Sequence, residues 1–387
     1  MVKQSFHLLK EYVEKKDFKG WDPYDGLNSA FFQRSFFRKS SFIRLAWIQL
    51  FKRSPINLRK LFNVKEDHNA KGLGLFLSGY CNLYNLDPRP EYLEKIKYLS
   101  QRIMAIQNKS YSGSCWGYNF DWQARAFFQP KFTPTVVATT YVAYALLDAY
   151  DILKSSELLS TARSSCDFVL KDLNKTSDAD GDFCFSYSPL DQTQVFNASL
   201  LGSRLLSRVY HYTHEKHLID AARKSVSFCC KYQQADGAWA YGTLPFHQWI
   251  DNFHTGFNLE CIHEYEKYSG DRSFHLHAEK GLQYYLTNFF TPQGESKYYN
   301  TTLYPIDIHA PAQLVVTFFR LGIINDHLEL VNRVLSWTMT NMQDPSGYFY
   351  YQMKRTWNSK IPYMRWAQAW MFFSMTCYLF SIHDESK

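Results

Sequence analysis

Apolar positions recur at helical spacing through most of this chain, and clusters of Gly, Pro, Asn and Asp punctuate them. After a leading helix at about 3–17, the pattern predicts twelve more, near 30–53, 70–86, 91–107, 133–153, 156–173, 193–212, 216–233, 253–268, 272–290, 308–321, 326–343 and 364–381. Their connections alternate. Asn85–Pro90, Leu153–Ser156, Tyr212–Glu215, Ser269–Asp271 and Gly322–Asn325 are short; 54–69, 108–132, 174–192, 234–252, 291–307 and 344–363 are long. Helices joined by short turns run antiparallel, so short turns collect at one end of the array and long loops at the other. Six such pairs predict an all-α (α/α)6 toroid with an extra N-terminal helix, one domain over 1–387 with 1–29 as an N-terminal extension. The helix after each long loop is expected in the inner ring. Its N-terminus then points at the loop face, where free N–H groups and the helix dipole favour oxygen-rich or anionic groups.

A second period runs through the long loops. Glycines followed by aromatic residues recur at Gly113 (with Trp116 and Tyr118), Gly181 (Phe183, Phe185), Gly237 (Trp239, Tyr241), Gly294 (Tyr298, Tyr299) and Gly347 (Tyr348, Tyr350, Tyr351), at intervals of 68, 56, 57 and 53 residues. That spacing fits one helical hairpin plus a loop per repeat.

Composition sharpens where to look. The chain has 387 residues, and 28 Tyr, 31 Phe and 10 Trp make it 18% aromatic. Tyr and Trp gathered in loops are suited to stacking on sugar rings while their polar tips find partners. Net charge is +7, a mild excess that argues against a nucleic-acid binder. Part of the excess sits in Arg34, Arg38, Lys39, Arg44, Lys52, Arg53, Arg59 and Lys60, a basic region that reads first as a solvated face and, as the alternative, suits peripheral contact with a membrane or with polysaccharide-synthesis machinery. The first residues lack the apolar core of a signal peptide, and no run approaches the ~20 apolar residues of a membrane span. Eight scattered Cys without a CxxC pair fit reduced thiols, hence a cytoplasmic protein.

Convergence of the long loops nominates the chemistry. Trp249-Ile-Asp251-Asn-Phe-His254 and Tyr304-Pro-Ile-Asp307-Ile-His309 each put an Asp and a His at the start of an inner helix. A His near neutrality can act as general acid or base, oriented by a carboxylate, and Asp251 can also cap its helix. Asp251, His254, Asp307 and His309 are therefore the candidate catalytic residues. Trp116, Tyr118, Arg125, Trp239, Tyr241, Trp249, Tyr299, Tyr363, Arg365 and Trp366 are the candidate substrate contacts, the arginines offering a fork for a carboxylate. Asp178, Asp180 and Asp182 lack the later ligands of a calcium loop, and no motif demands a metal or cofactor. No phosphate loop, HExxH, GxSxG or dinucleotide fingerprint occurs.

Gln234-Ala-Asp236-Gly237-Ala-Trp239 is similar to the Gln/Asp-Gly-Trp repeats of terpene cyclase–prenyltransferase toroids. It is also similar to loops of (α/α)6 glycan enzymes, namely six-hairpin glycoside hydrolases, polysaccharide lyases and sugar epimerases. A loop face rich in His, Arg and Asn favours the sugar enzymes. Gly20–Asn28, Trp249–Gly256, Tyr304–Ala310 and Tyr363–Trp370 resemble a group of cytoplasmic proteins associated with bacterial exopolysaccharide and capsule synthesis. The resemblances imply a glycan substrate, either a polysaccharide or a lipid-linked oligosaccharide. The leading reading is hydrolysis, with Asp251 and Asp307 as two carboxylates flanking the bond, and elimination or epimerisation is its alternative. Uronate elimination or C5 epimerisation would use His254 or a tyrosine as base, with Arg125 or Arg365 holding the carboxylate. A non-catalytic glycan-binding subunit and a terpene cyclase-like enzyme remain as further alternatives.

Overall fold

Helix boundaries follow local chemistry. Asn69, Thr135 and Asp251 cap the helices that begin after them, each accepting backbone N–H bonds through its side chain. At the opposite ends, Lys154, His214, Gly270 and Gly322 adopt the left-handed conformation that stops a helix and starts a tight turn. The computed structural model describes residues 1–125 and 127–384. Its helices are α1 (Val2–Lys15), α2 (Ala30–Arg34), α3 (Ser41–Arg53), α4 (Ala70–Leu86), α5 (Pro90–Ala105), α6 (Val136–Leu153), α7 (Ser156–Asp167), α8 (Phe196–Thr213), α9 (Lys216–Lys231), α10 (Asn252–Ser269), α11 (His275–Phe289), α12 (His309–Leu321), α13 (Leu328–Met342) and α14 (Ala369–Asp384). Small antiparallel ladders decorate the long loops, the largest joining Ile306–Asp307, Gln352–Met353 and Asn358–Ser359.

The inner ring closes. Helix α4 packs on α6, α6 on α8, α8 on α10, α10 on α12, α12 on α14, and α14 back on α4. Helices α5, α7, α9, α11 and α13 lie outside their sequence neighbours, and α1 packs on α13 and α14 as the sixth outer member. The (α/α)6 toroid is thus present, with one change of membership. The segment expected as an N-terminal extension supplies an outer helix, and the helix expected over 30–53 is two shorter ones, α2 and α3, outside the ring. Hydrophobic periodicity marks a helix; it does not say which chain end closes a circle. Helix α6 is apolar and long enough to cross a bilayer, yet it is an inner helix with 72% of its length buried by protein.

The repeating glycines hold this ring together. At Gly237, φ is +96°, and an added Cβ would lie 2.3 Å from the Lys280 carbonyl oxygen of α11. At Gly347, φ is +101°, and the same construction falls 2.3 Å from the Leu8 carbonyl of α1. Four of the five loop glycines, Gly113, Gly237, Gly294 and Gly347, touch the next outer helix, while Gly181 has open space beside it, and the last contact runs from the C-terminal part of the chain to its start. Trp116 and Trp239 complete these staples, donating their indole N–H to Ile103 and Cys229 carbonyls at the ends of α5 and α9. Ion pairs between inner helices, Arg204–Glu260 at 3.3 Å and Arg208–Asp148 at 2.6 Å, fill the ring axis with charge.

Candidate active site

A cleft of about 390 Å³ opens on the loop face. The start of α10, the turn leading into α14, α3 and the 108–132 loop give its charged and ionisable groups, and the 108–132, 234–252 and 291–307 loops with α3 give most of its walls. That turn, Met364–Gln368, is a wide one, with Gln368 N–H reaching the Tyr363 carbonyl. Such π-type turns rearrange side chains at a helix start, and here one holds Arg365 and Trp366 at the cleft.

His254 is the group best placed for proton transfer. Asp251 caps α10 by accepting the His254 backbone N–H at 3.0 Å, and its other oxygen lies 2.6 Å from His254 Nδ1. The Trp249 indole N–H also donates to Asp251, at 3.0 Å. Asp251 is buried behind the imidazole, so Nδ1 carries the proton towards the carboxylate, leaving Nε2 as an acceptor for the cleft. Tyr241 packs on the ring at 4.7 Å and itself stacks on Trp249 at 4.5 Å.

The opposite wall is cationic. Arg365 Nε and Nη2 donate to Asp22 at 2.5 and 2.8 Å, and its guanidinium lies 5.0 Å from the Tyr118 ring. Burial works against this charge, but Asp22 overrides it and raises the Arg365 pKa further. Lys52 donates to the Tyr24 hydroxyl at 2.9 Å; burial opposes its charge too, yet Tyr24 holds it above the usual lysine range. Tyr118 and Tyr187 hydroxyls meet at 3.1 Å nearby. Arg125 stands exposed at the rim. Among the described residues no Asp or Glu lines this cleft. A groove of about 400 Å³ continues past Tyr298 and Tyr299 to Lys52, Arg53 and Lys354. Burial, then Arg53 and Lys52, push the Lys354 ammonium down.

Of the residues expected from sequence, Tyr118, Arg125, Tyr241, Trp249, His254, Tyr299, Arg365 and Trp366 line the cleft. Others do not. Asp307 is fully buried, accepting the His309 backbone N–H at 2.9 Å, the Gln352 amide at 2.6 Å and the Trp366 indole at 2.8 Å. Burial pushes its carboxyl up to about 6 despite those bonds. It props Trp366 from below, so Asp251 and Asp307 cannot flank a substrate bond. His309 lies flat on Phe253 at 4.6 Å and against Trp370 at 4.2 Å, fully buried, and burial holds it well below its ordinary pKa. Trp116, Trp239 and Tyr363 are in the core. Asp178, Asp180 and Asp182 converge on the Lys231 ammonium at 2.6–2.8 Å.

Sequence reasoning did not nominate Tyr24, Lys52 or Tyr187 as site residues, nor Asp22 behind Arg365. The Gly20–Asn28 segment crosses to the loop face. There two buried ion pairs fix it, Asp22–Arg365 and Asp25–Arg59, the latter at 2.6 Å.

No protein-family model matches this chain, and no curated protein matches it. Solved structures do. Cellobiose 2-epimerase from Bacillus thermoamylovorans superposes with a TM-score of 0.65 at 12% identity, over 81% of this chain and 87% of that one. A GH76 α-mannanase from Bacteroides thetaiotaomicron gives 0.64 at 12% identity, over 82% and 88%. A Listeria innocua protein gives 0.64 at 13% identity over 98% and 97%. These likenesses share the six-hairpin (α/α)6 fold. At such identity they establish architecture and leave the reaction to the site.

Proposed function

We propose that this protein is an enzyme acting on an acidic glycan by proton transfer, as a uronate lyase or C5-epimerase. One observation carries the proposal: the Asp251–His254 pair faces a cleft lined by aromatic rings, Lys52, Arg125 and Arg365, with no carboxylate among its described lining residues. Two-carboxylate hydrolysis needs a pair of acids across the scissile bond, and the described lining of this cleft offers none. Lys52 and Arg125, with the edge of Arg365 that Asp22 leaves free, suit a uronate carboxylate, and drawing charge from that carboxylate acidifies the adjacent C5 proton. His254 Nε2 removes that proton. Departure of the C4 substituent then leaves a C4–C5 double bond; return of a proton to the other face of C5 inverts the centre instead. Tyr118 and Tyr187 supply hydroxyls on the Arg365 side for that second proton.

The fold is shared by a protein called an epimerase and by one called a mannanase, so it is compatible with the proposal and does not choose between the reactions. Eight buried, unpaired cysteines fit a reducing compartment, hence a cytoplasmic enzyme, and an acidic glycan fits exopolysaccharide or capsule assembly. The test is to incubate the protein with uronate-bearing and neutral oligosaccharides, following ultraviolet absorbance of the conjugated double bond and C5 configuration by NMR. Unsaturated or epimerised uronate from wild type, and neither from His254→Ala, supports the reading. Saturated hydrolysis products alone would overturn it.

A further inference from the structure

The stretch between α1 and α4 leaves large apolar side chains in water. Phe36, Phe37, Phe42, Leu50, Ile56 and Leu61 are exposed, Phe36 and Phe42 by 77% and 78%. Phe36 and Phe37 rest on each other, ring centroids 4.3 Å apart. Helix α3 is apolar on two sides. Ile48 and Phe51 are buried inward, while Phe42, Ala46 and Leu50, spaced one turn apart, form an outward stripe. An ordinary surface helix keeps that outer stripe polar.

The charge here is one-sided. From Gly26 to Lys65 the chain has nine Lys and Arg and no Asp or Glu, against a net charge of +7 for all 387 residues. Arg59 is buried against Asp25 and Lys52 faces the cleft, which leaves seven cations beside the exposed rings with no carboxylate among them in that stretch. That composition seats a helix at a lipid interface, rings at the acyl boundary and cations on the phosphates. A protein partner would need the apolar tips but not this excess of positive charge. Leu45, Gln49 and Lys52, on the half-buried flank between those two sides of the same helix, line the cleft. A surface against the outer stripe would stand about one helix diameter, ~10 Å, from the site.

The geometry points to the α2–α3 segment as a docking surface for an anionic lipid bilayer, holding the cleft mouth beside the membrane. This stands independently of the reaction assigned to His254. The experiment floats the full chain with vesicles of phosphatidylglycerol and phosphatidylcholine, or of phosphatidylcholine alone. Anionic vesicles should carry the protein about tenfold better than neutral ones, and about 1 M salt should release it. Phe36→Ser with Phe42→Ser should cut anionic binding about tenfold with the far-ultraviolet circular dichroism unchanged. Leu276→Ser, at an exposed site on α11, should bind as wild type, as should His254→Ala, which separates docking from catalysis. Three results would overturn the inference: no binding to anionic vesicles, equal loss with Leu276→Ser, or a concentration-dependent dimer abolished by the double substitution in a protein that ignores vesicles.

Discussion

Trp239 and Trp249 stand in the same long loop, and the ring uses them for different ends. Trp239 follows Gly237, is buried, and spends its indole N–H on the last turn of α9. Trp249 lies at the loop's far end, lines the cleft, and spends its N–H on Asp251, which in turn orients His254. The stem of the loop fastens outer helices; its end builds a site on an inner-helix start. In this repeat the glycine and Trp239 therefore report architecture, Tyr241 two residues on already lines the cleft, and the acid–base pair sits at the junction with the next inner helix.

Substitutions can break this comparison. The largest effect is expected where both functions meet, at the buried Asp22–Arg365 pair. Asp22→Ala strands a guanidinium with 4% side-chain exposure. The expected loss is about 3–5 kcal/mol in urea unfolding, together with loss of activity. His254→Ala should reduce turnover by about a thousandfold, roughly 4 kcal/mol of barrier, while stability stays within about 0.5 kcal/mol. Gly237→Ala should do the reverse. A Cβ at positive φ against the Lys280 carbonyl costs about 2–3 kcal/mol of stability, with kcat of the folded fraction unchanged. If Gly237→Ala lowers kcat at full stability, the loop stem belongs to the site after all.

The smallest effect concerns Asp307. Burial raises its carboxyl to about 6 from an ordinary value near 3.8, so the folded state binds a proton that the unfolded state has released across that window. Its stabilising contribution is therefore complete below pH ~4 and fades as pH rises to about 6. Wild type should gain about 1–3 kcal/mol on Asp307→Asn between pH ~6 and ~4 in parallel thermal melts. A carboxylate poised for hydrolysis would instead show its effect in the pH–rate profile.

The ring and its loop face were legible because helical periodicity and alternating connection lengths are local properties. The identity of the sixth outer helix was not. α1 and the 30–53 stretch both carry helical patterns, and contacts distant in sequence decide between them: α1 packs on α13 and α14, Leu8 meets Gly347 and Ser5 bonds to Gln343. Within the site, His254 was legible because an Asp cap three residues earlier also reaches Nδ1. Arg365 was legible as a cation in the turn that opens the last inner helix. Asp307 and His309 read the same way yet sit one layer deeper, because Trp366 and Phe253 cover them. Which of two similar helix starts lies uppermost depends on side chains elsewhere. Asp22 and Tyr24, far away in sequence, reach the mouth through a crossing that no local pattern announces.

Solvent hydrogen exchange tests the central claim most directly. In heavy water, wild type and His254→Ala are each incubated with a uronate-bearing oligosaccharide, and deuterium at C5 is read by NMR or mass spectrometry. The account predicts deuterium at C5 of recovered or epimerised sugar, or loss of the C5 hydrogen in an unsaturated product, with wild type and neither with His254→Ala. Turnover of such a substrate with its C5 hydrogen fully retained would contradict it.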